Sequence, residues 1–285
     1  MERNPRLATW VGAILGILLA LLVNSAFAHA EDGEGTVTEE FHHTYPLAAN
    51  GRVELQNING SVHITGWDQN QVKVDAVKRA DTAEELKEAE IRVDSSANSI
   101  SIETRYPEHD HRFGSHHHAA SVEYTVMVPR NAQLDEVKLI NGEFDVKGVS
   151  GEVRASCING KLLAEGLSGT AKLATINGQL DVSFTRLGSQ SIDLSSVNGP
   201  IDLTLPSDAK ATIEAATVHG GIDNNFGLHT DNHQWVGHDL RGELGGGGTE
   251  IKLHNVNGHI DIHHAADGKA MSPSKDTGEH REGSV

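Results

Sequence analysis

The stretch INGEFDVKGVSGEVRASCINGKLLAEGLSGTAKLATINGQLDV, residues 140–182, decides the fold. It holds Ile-Asn-Gly three times, at Ile140, Ile158 and Ile176, in steps of 18 residues. Working outward, the same turn pair recurs as Asn59-Gly60, Asn141-Gly142, Asn159-Gly160, Asn177-Gly178, Asn198-Gly199 and Asn257-Gly258, and His219-Gly220 fills one further slot. From 141 to 219 the steps are 18, 18, 21 and 21 residues. Three residues after the turn residue stand Val62, Phe144, Leu162, Leu180, Ile201, Ile222 and Ile260, and five after it Ile64, Val146, Ala164, Val182, Leu203, Asn224 and Ile262. That alternation marks a half-buried strand. Asn-Gly is a turn pair because both residues tolerate positive φ.

Each unit has a second half. Gly148-Val149-Ser150-Gly151 and Gly166-Leu167-Ser168-Gly169 turn the chain, and short alternating strands follow, such as Val153 with Ala155 and Ala171 with Leu173. One period is therefore turn, strand, turn, strand. A fixed period with two short strands predicts an all-β fold, a single-stranded β-helix or solenoid with coils of about 18–21 residues. The β-branched residue before each turn (Ile58, Ile140, Ile158, Ile176, Val197, Val218 and Val256) is expected to point into the core. Each Asn is expected to hydrogen-bond to its copy in the next coil. A Greek-key sandwich would not keep one residue at one phase through seven turns.

The ends are less regular. Asp81 to Ile91, DTAEELKEAEI, is the one helical stretch, near the N-terminal end, with Asp81 or Thr82 as its cap. Residues 107–120 form a His-rich insertion and 227–248 a loop excursion within a repeat domain over 45–265. Residues 29–44 read as a short linker. Residues 266–285 are polar and read as a disordered tail. The N-terminus reads as an export signal over 1–28: Arg3 and Arg6, an apolar run from Trp10 to Val23, then Ala26-Phe27-Ala28 and Ala28-His29-Ala30, so that cleavage falls after Ala28 or Ala30. The mature chain is then periplasmic or at the cell surface. The alternative is an uncleaved segment anchoring it to the inner membrane, which is the one membrane contact expected.

Composition narrows the partners. With 40 acidic against 23 basic residues the formal net charge is −17, which excludes the Lys/Arg surface that nucleic acid requires. Cys157 is the only cysteine, so no intramolecular disulfide forms. Its apolar phase, two residues before Asn159, marks a small buried core residue rather than a reactive thiol.

Three constellations could carry chemistry. His109, Asp110, His111, His116, His117 and His118 in the insertion offer donors suited to Zn²⁺, Ni²⁺ or Cu²⁺, though without the spacing of a structural site. Four residues after the turn come Asp145, Asp181, Asp202, Asp223 and Asp261, interrupted by His63 and Leu163. This outward phase is either a cation ladder suited to Ca²⁺ or a solvated acidic face that blocks edge association. Gly245 to Leu253, GGGGTEIKL, is a single copy and reads as a tight re-entry loop. No nucleophile elbow, HExxH or P-loop occurs, since GVSGE and GLSGT place Gly directly after Ser.

The repeated NG units, the strand Val122 to Pro129 (VEYTVMVP) and the late glycine run followed by a further NG unit, Leu244 to Ile260, resemble the bacterial putative-adhesin domains over most of residues 45–264. That family comprises exported β-solenoids related to head domains of predicted auto-transporter adhesins. The resemblance implies a non-enzymatic binding or structural module of the cell envelope, with no catalytic residue to carry over and no required cofactor. Its partner is an envelope protein, a glycan or a surface, and open solenoid ends make self-association an expectation too. The alternatives are a periplasmic metal-binding protein using the His-rich loop and the Asp row, and, third, a polysaccharide-active β-helix enzyme.

Overall fold

In the computed structural model, which describes residues 36–107, 120–188, 190–232 and 237–278, the alternation of each repeat becomes two facing parallel sheets. Every coil sends a leading strand to its corner Asn and a trailing strand away from it. The leading strands are Arg52–Asn59, Gln133–Asn141, Val153–Asn159, Ala171–Asn177, Ile192–Asn198, Thr249–Asn257 and Ala211–His219, side by side in that order. The trailing strands Val62–Trp67, Phe144–Lys147, Leu162–Leu167, Leu180–Phe184, Ile201–Leu205, Ile260–His264 and Ile222–Asn224 follow the same order. The chain is thus the all-β solenoid that the repeat predicts. Its core is the double row of inward Val, Ile and Leu between the sheets, including Leu55, Leu173, Leu194, Leu253, Ile64, Val146 and Val182.

Spatial order departs from chain order at one place within the stack. The Asn257 coil lies between the Asn198 and His219 coils, pairing with both. Before that coil forms, the chain runs antiparallel along the outer edge of Ala211–His219 as strand His238–Leu244. It then crosses back past the start of Ala211–His219, from Leu244 on one side of Ala211 to Thr249 on the other, through Gly245 to Gly248. A Cβ on Gly248 would sit 2.5 Å from the Lys210 carbonyl oxygen, so the crossing is as close as backbone allows. This is the physical content of the glycine run.

At the N-terminal end both sheets are closed by strands of opposite direction. Beyond Val62–Trp67 come Ser121–Pro129, then Gln71–Ala80 and Val37–Pro46, the last two antiparallel. Beyond Arg52–Asn59 come Ser99–Arg105 and the antiparallel Glu90–Ser95. The predicted helix spans Ala83–Glu88, and the Thr82 hydroxyl accepts from the Glu85 amide at 3.2 Å. Buried Lys78 fastens it, donating to the Ala89 carbonyl at 3.2 Å and pairing with Glu39 at 2.9 Å.

Three sequence expectations change. The linker over 29–44 is in part the strand Val37–Pro46, held by pairing along its length with Gln71–Ala80. The tail does not simply trail away: Ser274–Asp276 pairs with His238–Leu244, and Ser272 donates to the Ser207 carbonyl at 2.8 Å. The β-branched residue before each turn does not enter the core. Ile140, Ile158, Ile176, Val197, Val218 and Val256 are 37–43% exposed. The residue two before the turn is the inward one, among them Cys157, Thr175, Ser196 and Asn255, and a period of two then forces its neighbour outward. Ile and Val stand there because β-branched side chains suit strands. They form an apolar rib along the outside of the leading-strand sheet.

Candidate functional site

The Asn-Gly corner is structural. Asn141 donates its amide to Asn59 Oδ1, Asn159 to Asn141, Asn177 to Asn159, Asn198 to Asn177 and Asn257 to Asn198, each at 2.9 Å. Within the row each Asn therefore gives to one neighbour and receives from the other. The adjoining glycines stack backbone on backbone: Gly160 has φ +150°, and a Cβ there would lie 1.8 Å from the Gly142 oxygen. Behind them the inward polar row hydrogen-bonds the corner carbonyls. Ser196 donates to Gly199 at 3.1 Å, Thr217 to Gly258 at 3.1 Å and Asn255 to Gly199 at 2.9 Å. Cys157 occupies the same row with Sγ 3.6 Å from the Gly142 oxygen. Burial pushes its thiol up to about 11, which matches the inert core residue expected from sequence.

The Asp row lies on the outside of the trailing-strand sheet, in the spatial order His63, Asp145, Leu163, Asp181, Asp202, Asp261, Asp223. Asp181, Asp202, Asp261 and Asp223 thus stand on four successive strands, ~4.8 Å apart, the displaced last coil setting Asp261 between Asp202 and Asp223. Neighbouring side chains offset part of the charge. Lys147 and His63 approach Asp145 at 3.3 and 3.6 Å, Gln179 donates to Asp202 at 2.9 Å, and Lys161 stands 4.0 Å from Asp181. Partial burial, and then the negative charge of Asp202 and Glu165, raise the Asp181 carboxyl above its ordinary value despite Lys161.

At the end of the row, Asp223, His259 and Asp261 bring three donor atoms within 4.8 Å of one another. These are the described residues with metal-holding geometry. The protons decide what they do as arranged. The Gly221 amide donates to His259 Nδ1 at 3.2 Å, so in the neutral ring the proton is on Nε2. Nε2 then donates to Asp223 Oδ2 at 2.7 Å, with Asp261 Oδ1 at 3.5 Å. A cation at Nε2 would have to displace that proton and break the Asp223 contact.

A further feature was not legible in the sequence. At the second corner the tight turns stack closely: a Cβ on Gly151 would meet the Ala132 oxygen at 2.0 Å, and one on Gly169 the Gly151 oxygen at 2.2 Å. In the next coil the corner lengthens. Three residues separate Leu167 from Ala171, but seven separate their register partners Phe184 and Ile192. The stack opens there, and a Cβ on Gly188 would lie 4.0 Å from the Ser168 oxygen. Two adjoining hollows of about 540 and 400 Å³ result, sharing Gly188 and Thr249. The signal was present as the change of step from 18 to 21 residues, but a step length does not reveal which corner holds the added residues.

The export signal over 1–28 and the His-rich loop residues His109, Asp110, His111, His116, His117 and His118 lie outside the described residues.

The Toastrack DUF4097 family description matches residues 48–263, and the chain belongs to that family. Among solved structures, a putative cell adhesion protein from Clostridium sporogenes is 14% identical, covering 80% of this chain and 100% of that one, with a TM-score of 0.45. A putative adhesin from Parabacteroides merdae is 8% identical, covering 84% and 100%, with a TM-score of 0.30. A putative lipid binding protein from Parabacteroides distasonis is 10% identical, covering 81% and 96%, with a TM-score of 0.25. Comparison with curated proteins finds no match.

Proposed function

We propose that this Toastrack chain is an exported, non-enzymatic binding module of the cell envelope, displayed in the periplasm or at the surface. The observation that carries the proposal is the parallel ladder itself. Six Asn residues lock six coils into one register and backbone pairing adds the His219 coil, so every outward row becomes a straight, rigid line of side chains. A rigid surface loses little entropy when it binds an extended partner. The buried polar groups Ser196, Thr217 and Asn255 are engaged with corner carbonyls, and so serve the scaffold. The N-terminal signal pattern, Arg3 to Ala30, supports export. Fractionation of producing cells, with protease added outside intact cells, tests the placement, and retention of labelled mature chain by isolated envelopes tests the binding. A cytoplasmic chain, or one that envelopes do not retain, overturns the proposal.

A second reading, cation binding, is favoured by one observation: Asp181, Asp202, Asp261 and Asp223 stand on successive strands. Oxygen donors at that spacing suit Ca²⁺, and the His109–His118 segment suits Zn²⁺, Ni²⁺ or Cu²⁺. Calorimetric titration of residues 31–285 separates the two. Ca²⁺ binding lost in Asp202→Asn/Asp261→Asn assigns the row. Transition-metal binding lost when the insertion histidines become Ser assigns the insertion. No heat with any of the four ions removes the reading.

A further inference from the structure

We infer that the opened second corner is a ligand groove for an acidic oligosaccharide, a proposal that rests on the binding-module reading above. Shape points this way first. The two hollows adjoin at Gly188 and Thr249, which hydrogen-bond to each other, and together they are lined from the coil layers that carry Gln133, Ser150, Ser168, Gly188, Thr249 and Lys210. Five strand spacings of ~4.8 Å make a groove of about 24 Å. Each layer step is close to the length of one pyranose unit, so an extended sugar chain can present a hydroxyl to each layer in turn.

The chemistry of the wall agrees. At one end it is polar, its one acidic residue, Glu152, being paired with Arg154 at 2.6 Å, and among the described residues the side chains of Gln133, Ser150 and Ser168 make no hydrogen bond within the protein. These half-exposed amides and hydroxyls are open to solvent and can exchange water for the groups of an outside partner in the concave wall. They match sugar hydroxyls, which both donate and accept.

Charge narrows the ligand further. The chain carries −17 overall, yet the other end of the groove gathers Arg186, Lys210 and Lys269. Lys269 is held by Asp208 at 2.9 Å, whereas Arg186 and Lys210 have no ion-pair partner among the described residues. Two uncompensated cations at the mouth of a hollow in an acidic protein select a ligand with a carboxylate or sulfate at its end. A neutral sugar would leave them unused, and a nucleic acid would need a far larger basic surface.

The test uses the mature chain, residues 31–285, on a panel of uronate-, sialate- and sulfate-bearing oligosaccharides with neutral counterparts of the same length. The proposal expects at least one acidic member to bind ten-fold or more tightly than its neutral counterpart. Arg186→Glu/Lys210→Glu should weaken that binding ten-fold or more, and Ser168→Tyr, which fills the groove without changing charge, should weaken it similarly. Circular dichroism checks that both variants keep the fold, and a Lys138→Glu/Lys172→Glu variant on the outer face of the leading-strand sheet should bind as wild type. Acidic and neutral members binding equally, or groove variants binding like wild type, overturns the groove assignment. If envelopes retain the wild-type chain while no acidic oligosaccharide binds, the groove proposal falls and the binding-module reading stands. If envelopes do not retain it either, both fall.

Discussion

Replacing Gly160 by Ala adds one carbon at the tightest point of the coil stack. The new Cβ would lie 1.8 Å from the Gly142 oxygen, whereas an unstrained C···O approach is about 3.3 Å. Relief requires the two coils to part by about 1.5 Å, a third of a ~4.8 Å strand spacing. That movement breaks the Gly142 amide to Asn159 carbonyl bond at 3.0 Å, the Phe144 amide to Lys161 carbonyl bond at 2.9 Å and the Asn159–Asn141 side-chain bond at 2.9 Å. At about 1 kcal/mol net for each bond, with about 1–2 kcal/mol for a side chain held at φ +150°, the substitution should cost about 4–5 kcal/mol. Gly246→Ala separates the two causes. Gly246 has φ +83°, and the space its Cβ would enter is open, with nothing within 4 Å, so it should show only the conformational cost of about 1–2 kcal/mol. Urea unfolding followed by far-ultraviolet circular dichroism measures both. A Gly160→Ala variant no less stable than Gly246→Ala would refute the claim that glycine is required by the neighbouring coil rather than by its own φ.

Three further outcomes are expected. Leu173→Ala, at a fully buried position, should lose about 2–5 kcal/mol, while Ile158→Ser on the outer rib should stay within about 1 kcal/mol of wild type; equal losses would put Ile158 back in the core. Asn159→Ala removes two 2.9 Å ladder bonds and should cost about 1–2 kcal/mol, read as a shift in urea midpoint with an unchanged slope. The edge strand Val37–Pro46 should be held more firmly in acid: hydrogen bonds to Asp75 and then Glu40 raise the His42 imidazole above its ordinary 6.5, so its contribution is full below that value and lost as pH rises through the raised one. Amide exchange of this strand should be slower at pH 6 than at pH 8 after correction for intrinsic rates, and His42→Gln should abolish the difference; an unchanged difference in the variant would exclude His42 as its cause.

The coil was legible because Asn-Gly marks one corner at a constant phase, and the strands on either side alternate from it. The Asn ladder follows from that phase alone. The exposed rib was misread although the needed fact was in hand: with Cys157 inward, Ile158 one residue later must face out. The placement of the Asn257 coil was not legible. Periodicity counts coils along the chain, whereas the antiparallel return through His238–Leu244 and the glycine crossing decide where the last coil is inserted. The Asp row was legible as a phase, but the adjacency of Asp202, Asp261 and Asp223 depends on that insertion. The groove was hidden for a different reason. It is built from the length of one corner: Ser150 and Ser168 recur at the 18-residue step, but nothing in that recurrence marks the corner after Phe184 as the one that lengthens.

The most direct test of the functional account is retention of the labelled mature chain by isolated cell envelopes, as a saturation curve with unlabelled chain as competitor. The account predicts saturable retention that the competitor displaces and that treating the envelopes to remove acidic glycans abolishes. Retention that never saturates, or none at all, would contradict it.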